Sequence, residues 1–117
     1  MKPLYWVGGS KEALKEFPRE VQRVVGRALF VAQQGGKDRN AKPLKGFAGA
    51  GVLEVADDHD GDTYRAVYTV RFQDAVYVLH AFQKKSKRGI ATPKQEIEMI
   101  RQRLRAAEAH HASTRRA

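Results

Sequence analysis

Residues 63–82, TYRAVYTVRFQDAVYVLHAF, decide the fold. Two runs rich in β-branched and aromatic residues, 63–72 and 75–82, flank Gln73-Asp74, so the stretch reads as an antiparallel hairpin. If Gln73-Asp74 form the whole turn, Arg65 stands opposite Phe82, Val67 opposite His80 and Tyr68 opposite Leu79, and opposed residues share a face. One face then carries Tyr64, Ala66, Tyr68, Val70 and Phe72 with Ala75, Tyr77, Leu79 and Ala81, and it is the natural seat for helices. The other carries Arg65, Val67, Thr69 and Arg71 with Val76, Val78, His80 and Phe82, continuing toward Lys84. That second face is half apolar and half cationic, an odd composition for plain solvent exposure. A longer or bulged turn would break the register.

Upstream, Leu4-Tyr5-Trp6-Val7 is a short β-prone run ended by Gly8-Gly9, and Ser10 is placed to cap a brief helix over 11–16. Pro18 suits the first turn of a second helix, whose stripe Val21, Val24, Val25, Ala28, Leu29 and Ala32 has helical spacing. Gly35-Gly36 ends it, and 37–51 has no sustained period and reads as a loop crossing the domain. Residues 52–56 form a strand, and the acidic loop 57–62 leads into the hairpin. Downstream, Lys84-Lys85-Ser86-Lys87-Arg88 is a cationic loop. Thr92-Pro93-Lys94-Gln95 then starts a helix, with Thr92 as N-cap and Gln95 as in a capping box. Ile97, Ile100, Leu104 and Ala107 give that helix its buried stripe. Residues 109–117 carry no packing signal and are expected to fray. The pattern is an α+β domain over 1–108, with N-terminal helices and a C-terminal helix around a mostly antiparallel sheet.

Composition bounds the chemistry. The 117 residues suit one domain, without room for a cofactor domain beside a substrate domain. The absence of cysteine excludes a disulfide scaffold, Cys-based zinc sites and thiol catalysis, and it fits a reducing compartment. No run approaches the ~20 apolar residues that span a bilayer, and the apolar part of the N-terminus is too short for a signal peptide. The expectation is a cytoplasmic domain with no membrane partner.

The net charge of +9 is uneven: residues 1–60 carry a net +2 and 61–117 a net +7. A basic half points to a polyanion such as RNA or DNA, because counterion release drives such binding. A surface that merely keeps the chain in solution would have the same composition.

Several patterns fail on inspection. Asp58, Asp60 and Asp62 resemble the start of a calcium loop, but Gly61 is displaced and position twelve is Thr69 rather than Glu. Residues 46–51 lack the Lys-Ser/Thr ending of a phosphate loop. His110-His111 in a tail is weak ground for a metal site.

What remains is the cationic hairpin face and its rim: Arg65, Arg71, His80, Lys84, Lys85, Lys87 and Arg88, with Lys42 and Lys45 able to swing over it. Arg supplies a planar fork for phosphate oxygens, Lys a mobile point charge, and His a group that takes or gives a proton near neutrality. RNA cleavage needs little more, because the 2′-hydroxyl is the substrate's own nucleophile; no cofactor or metal is called for. The same site would bind DNA without cutting it this way. A strand His among apolar neighbours is also commonly structural, and a Lys/Arg loop commonly just solvated. A mid-strand Arg65 needs an anionic partner if it is not exposed, and Glu54 on the preceding strand is one candidate.

Glu54, then Asp62-Thr63-Tyr64-Arg65-Ala66-Val67-Tyr68, then AVYVLHAFQKKS at 75–86, then Gly89 and Thr92-Pro93, resemble the phage-derived branch of the RelE/HigB toxins. These belong to the RelE/ParE superfamily of toxin–antitoxin systems, and the resemblance covers about residues 4–107. It implies helices on one side of a mostly antiparallel sheet, mRNA cleavage on the ribosome, and a cognate helix-turn-helix antitoxin as partner. Arg65 matches the strand Arg that stabilises the phosphate, and Lys84 and Lys85 match the basic residues after the last strand less closely. An Arg that often follows the strand Glu is absent, since Val55-Ala56 follow Glu54, and the last helix contains no Tyr or Phe. The expected site is therefore Arg65, Lys84 and Lys85 for charge and His80 for proton transfer, with Lys42, Lys45, Arg71, Lys87 and Arg88 on RNA. The alternatives are a non-catalytic ParE-like gyrase inhibitor or nucleic-acid-binding module, and an inactive phage remnant. The oligomeric state is not encoded in these patterns.

Overall fold

A computed structural model describes residues 1–47, 49–84 and 92–115. The elements run β1 (Leu4–Trp6), α1 (Ser10–Lys15), α2 (Arg19–Gln33), β2 (Ala41–Pro43), β3 (Val52–His59), β4 (Asp62–Thr69), β5 (Val76–Lys84) and α3 (Lys94–Arg115). The sheet has the order β1-β5-β4-β3-β2, antiparallel throughout except that β1 runs parallel to β5. This is the α+β architecture expected from the hairpin.

The expected hairpin register holds over half its length. Arg65 faces Phe82 and Val67 faces His80, but the next pair is Tyr68 with Val78, so Leu79 is an extra residue in β5. A bulge of this kind sets two residues against one and turns consecutive side chains toward the same face. Ala81 therefore packs with Tyr64, Ala66 and Tyr68 as expected, whereas Tyr77 and Leu79 go to the opposite face. Val76 and Val78 make the reverse exchange and join the first core. The connection is also longer than two residues, since β4 ends at Thr69 and β5 begins at Val76.

Both faces of the sheet are covered, which corrects the expectation of helices on one side. The stripe Val21, Val25, Ala28, Leu29 and Ala32 of α2, with Leu14 of α1, packs on Leu53, Val55, Ala66, Tyr68, Val76 and Val78. On the other face Ile100 and Ala107 of α3, flanked by Ile97 and Leu104, pack on Val67, Tyr77, Leu79 and Phe82. The half-apolar composition of the second face is thus explained by a helix lying across its middle.

Local expectations fare unevenly. The acidic loop 57–62 is mostly strand: β3 continues to His59, and Asp60-Gly61 alone turn the chain, with φ values of 51° and 85°. Two positive φ values in a two-residue turn match the twist of the flanking strands. The loop 37–51 contains β2, an edge strand that pairs with β3 and carries Pro43. Ser10 does not cap α1; its hydroxyl donates to the Val78 carbonyl at 3.3 Å.

Past Glu108 the described residues of the C-terminal segment are helical to Arg115. Helix α3 continues to Arg115 because His111 is buried, stacks on Phe72 at 4.2 Å and bonds Asp74 through Nε2 at 2.6 Å. His110 Nδ1 lies 2.7 Å from the Tyr77 hydroxyl, and Arg71 pairs with Glu108. These partners are remote in sequence, so no local pattern announces them. No described helix is long and apolar enough to cross a membrane.

Candidate functional site

Strand register assembles the site. Lys42 of β2 stands opposite Glu54 of β3, Glu54 opposite Val67 of β4, and Val67 opposite His80 of β5. Opposed residues share a face, so these four form one row across the sheet on the side where α3 lies. The adjacent row sets Arg65 against Phe82, and the one beyond sets Thr63 against Lys84. Arg65, His80 and Lys84 are all buried.

Arg65 finds the partner the sequence offered. Its Nη1 donates to Glu54 Oε1 at 2.8 Å, and the two side chains are 9% and 14% exposed. The other Glu54 oxygen accepts from the Thr92 hydroxyl at 3.1 Å. Thr92 therefore does not cap α3: its side chain ties the start of the helix to β3, while the Pro93 carbonyl accepts from the Glu96 and Ile97 N–H groups. A buried guanidinium is tolerable only with such a carboxylate beside it.

Next to this pair lies a groove of about 470 Å³, lined by Lys42, Pro43, Leu44, Lys45, Glu54, Thr92 and Ile97. Its floor is apolar, its rim has two exposed lysines, and Glu54 borders it. A smaller hollow of about 220 Å³ on the other side of Glu54 is lined by Arg39, Asn40, Lys42 and Ala56. Lys42 and Lys45 thus line the groove that Glu54 borders.

His80 is held at both ring nitrogens. Nε2 lies 2.8 Å from Glu96 Oε1, and Nδ1 lies 3.3 Å from Arg103 Nη1, which also donates to the Leu79 carbonyl at 3.0 Å. Guanidinium only donates, so Nδ1 must accept, and the network assigns the proton to Nε2, donated to Glu96. The ring stacks on Phe82 at 4.9 Å. Arg103 reaches this position past Gly8, where a Cβ would stand 2.9 Å from its Nε and φ is +55°. Burial pushes the Arg103 guanidinium below its ordinary value, with the Glu96 carboxylate acting against that.

Among the expected residues, Arg65, Lys84, His80, Lys42 and Lys45 share this face, with the lysines at its β2 end. Arg71 does not line the groove; it lies beyond the end of β4 and pairs with Glu108. Lys85, Lys87 and Arg88 lie outside the described residues. Glu96, Thr92 and Arg103 were missed as site residues. The signal for Glu96 was its place in the first turn of a helix that follows the His80 strand. Thr92 was hidden by its suitability as a cap.

The family described as "Phage derived protein Gp49-like (DUF891)" matches residues 12–105, which include the Arg65–Glu54 pair, the groove and the His80 contacts, and stop short of His110 and His111. No curated protein sequence matches the chain. With that match spanning most of its length, the chain belongs to the phage-derived Gp49-like family, a family of RelE/HigB-like toxins.

Proposed function

We propose that the protein is the toxin of a type II toxin–antitoxin pair and an endoribonuclease that cuts translated mRNA on the ribosome. Family membership supports the toxin reading, and the observation that carries the chemistry is the Arg65–Glu54 pair beneath a lysine-rimmed groove. In this reading Lys42 and Lys45 hold the RNA backbone, while an apolar floor of Pro43, Leu44 and Ile97 suits a base laid flat against it. Arg65, Lys84 and Lys85 stabilise the extra negative charge of the phosphorane, a contribution of ~10²–10³ in rate for a well-placed donor. Lys87 and Arg88 extend the phosphate contacts, Arg71 contacts RNA only at a distance from the cut, and His80 serves the proton transfer. The partner that restrains the toxin is a cognate helix-turn-helix antitoxin, and the compartment is the cytoplasm.

Induction in a bacterial host, followed by primer extension on cellular mRNA, tests this. The expected result is growth arrest with new 5′-hydroxyl ends inside translated frames, lost in a folded variant that lacks Arg65. Intact mRNA in arrested cells refutes it, and an accompanying DNA-damage response assigns the chain to the gyrase-inhibitor class instead.

A further inference from the structure

Glu54 accepts from Thr92, Glu96 follows Thr92 by four residues in the first turn of α3, and the structure treats the two carboxylates differently. Glu54 has both oxygens committed, one to Arg65 and one to Thr92, and is 14% exposed. Glu96 has one oxygen on His80 Nε2, is 29% exposed, and its Oε2 makes no hydrogen bond among the described residues. It sits in the first turn of α3, next to Ile97 of the groove and four residues from Thr92 at its edge. His80, only 11% exposed, lies behind it with Nδ1 occupied by Arg103. Arg103 thus contacts His80, His80 contacts Glu96, and Glu96 is the more exposed of that last pair. The imidazole's acceptor nitrogen faces a cation and its N–H faces a carboxylate, so the ring is poised to orient Glu96 rather than to meet a substrate itself.

We propose that Glu96 is the base that takes the ribose 2′-hydroxyl proton, with His80 and Arg103 as its positioning residues; this rests on the RNA-cleaving reading above. The proton passes from O2′ to Glu96 Oε2 as the O2′–P bond forms and the P–O5′ bond breaks. The leaving O5′ takes a proton from water, and the hydroxide so formed takes the proton from Glu96. The products are a 2′,3′-cyclic phosphate and a 5′-hydroxyl, and the enzyme returns to its starting state.

The test uses the purified full-length chain, ribosomes programmed with a defined mRNA, and single-turnover cleavage. Glu96→Gln keeps an acceptor for the His80 N–H but cannot take a proton. It is expected to keep the wild-type Tm and ribosome affinity while cutting ~10²–10⁴-fold more slowly, the range for a lost general base. Glu96→Ala is expected to recover part of its rate in formate, which supplies a small carboxylate; a structural tie between α3 and β5 gives no such rescue. Cleavage by Glu96→Gln within a few-fold of wild type overturns the role of Glu96 and leaves the ribonuclease reading standing. Loss of cleavage in Glu96→Ala without formate rescue also overturns it. Failure of the wild-type chain to cut any programmed mRNA overturns both.

Discussion

Replacing Arg65 with Ala is the obvious test of the site and, taken alone, a misleading one. The guanidinium and the Glu54 carboxylate are 2.8 Å apart and largely withdrawn from water. Removing one member of such a pair strands the other charge, with Thr92 as the remaining hydrogen-bond partner of Glu54 among the described residues. The cost of breaking a buried pair in this way is about 3–5 kcal/mol. For 117 residues, each kcal/mol corresponds to about 3–5 °C, so Arg65→Ala is expected to lower Tm by about 10–20 °C. Loss of toxicity in that variant would then report unfolding as readily as chemistry.

The double variant Arg65→Met/Glu54→Leu separates the two. Replacing both charges with apolar groups of similar volume removes the desolvation cost together with the attraction, and such exchanges are often neutral or stabilising. Thermal unfolding should place the double variant within about 1–2 kcal/mol of wild type, well above the single variant. The same double variant should fail to cut mRNA on programmed ribosomes. If it is as unstable as Arg65→Ala, a stranded Glu54 charge is not what destabilises the single variant. If it is stable and still cuts, Arg65 does not stabilise the reacting phosphate.

Three further outcomes follow from individual contacts. Tyr68 is wholly buried, its hydroxyl has no partner among the described residues, and burial, with the Asp38 charge adding to it, pushes its pKa up to about 12; Tyr68→Phe should therefore raise stability by about 1 kcal/mol in urea unfolding, and a comparable loss would show that the hydroxyl is satisfied. The hydrogen bond from His111, aided by the charges of His111 and Arg115, holds the Asp74 carboxyl below its ordinary 3.8. A value lower in the folded state means that this docking contact is fully present above about pH 4 and is lost as pH falls through the folded value, so amide exchange in the last turns of α3 should quicken only in stronger acid, and Asp74→Asn should abolish that response. Lys42→Ala/Lys45→Ala should weaken RNA binding across sequences and flatten the slope of log affinity against log salt by about 1.4, at ~0.7 per phosphate contact on a single strand; an unchanged slope would remove both lysines from the footprint.

The hairpin and the buried stripe of α2 were legible because each rests on local alternation or helical spacing. The Arg65–Glu54 pair was legible for a related reason: a mid-strand Arg on a half-apolar face demands an anion, and the preceding strand offered Glu54. What the sequence concealed depended on partners far along the chain. β2 is three residues long and contains Pro43, so it carries no alternation of its own and exists by pairing with Val55, Glu54 and Leu53. The last turns of α3 lack an apolar stripe; His110 and His111 replace one by reaching Tyr77 and Asp74. Thr92 and Ser10 were both suited to cap helices, and both spend their hydroxyls on the sheet instead, at Glu54 and at the Val78 carbonyl. Local propensity offers a side chain several partners, and tertiary packing selects among them.

Leu79 shows how one such selection shapes the site. With the register unbroken, Tyr77 and Leu79 would lie under α1 and α2, leaving the smaller Val76 and Val78 beside His80 and Phe82 on the other face. The bulge turns Leu79 toward α3 beside His80, so that Leu79 and Tyr77 supply the apolar seat on which Ile100 and Ala107 pack. It also sets the Leu79 carbonyl within reach of Arg103, and the same Arg103 nitrogen contacts His80 Nδ1. Bulges carry no obligatory residue signature of this length, so nothing in VYVLHAF marked the position. The irregularity that spoils the sequence-derived register therefore draws α3 over the second face. A helix docked there brings Glu96 to His80 and Thr92 to Glu54, which no arrangement of the hairpin alone could do.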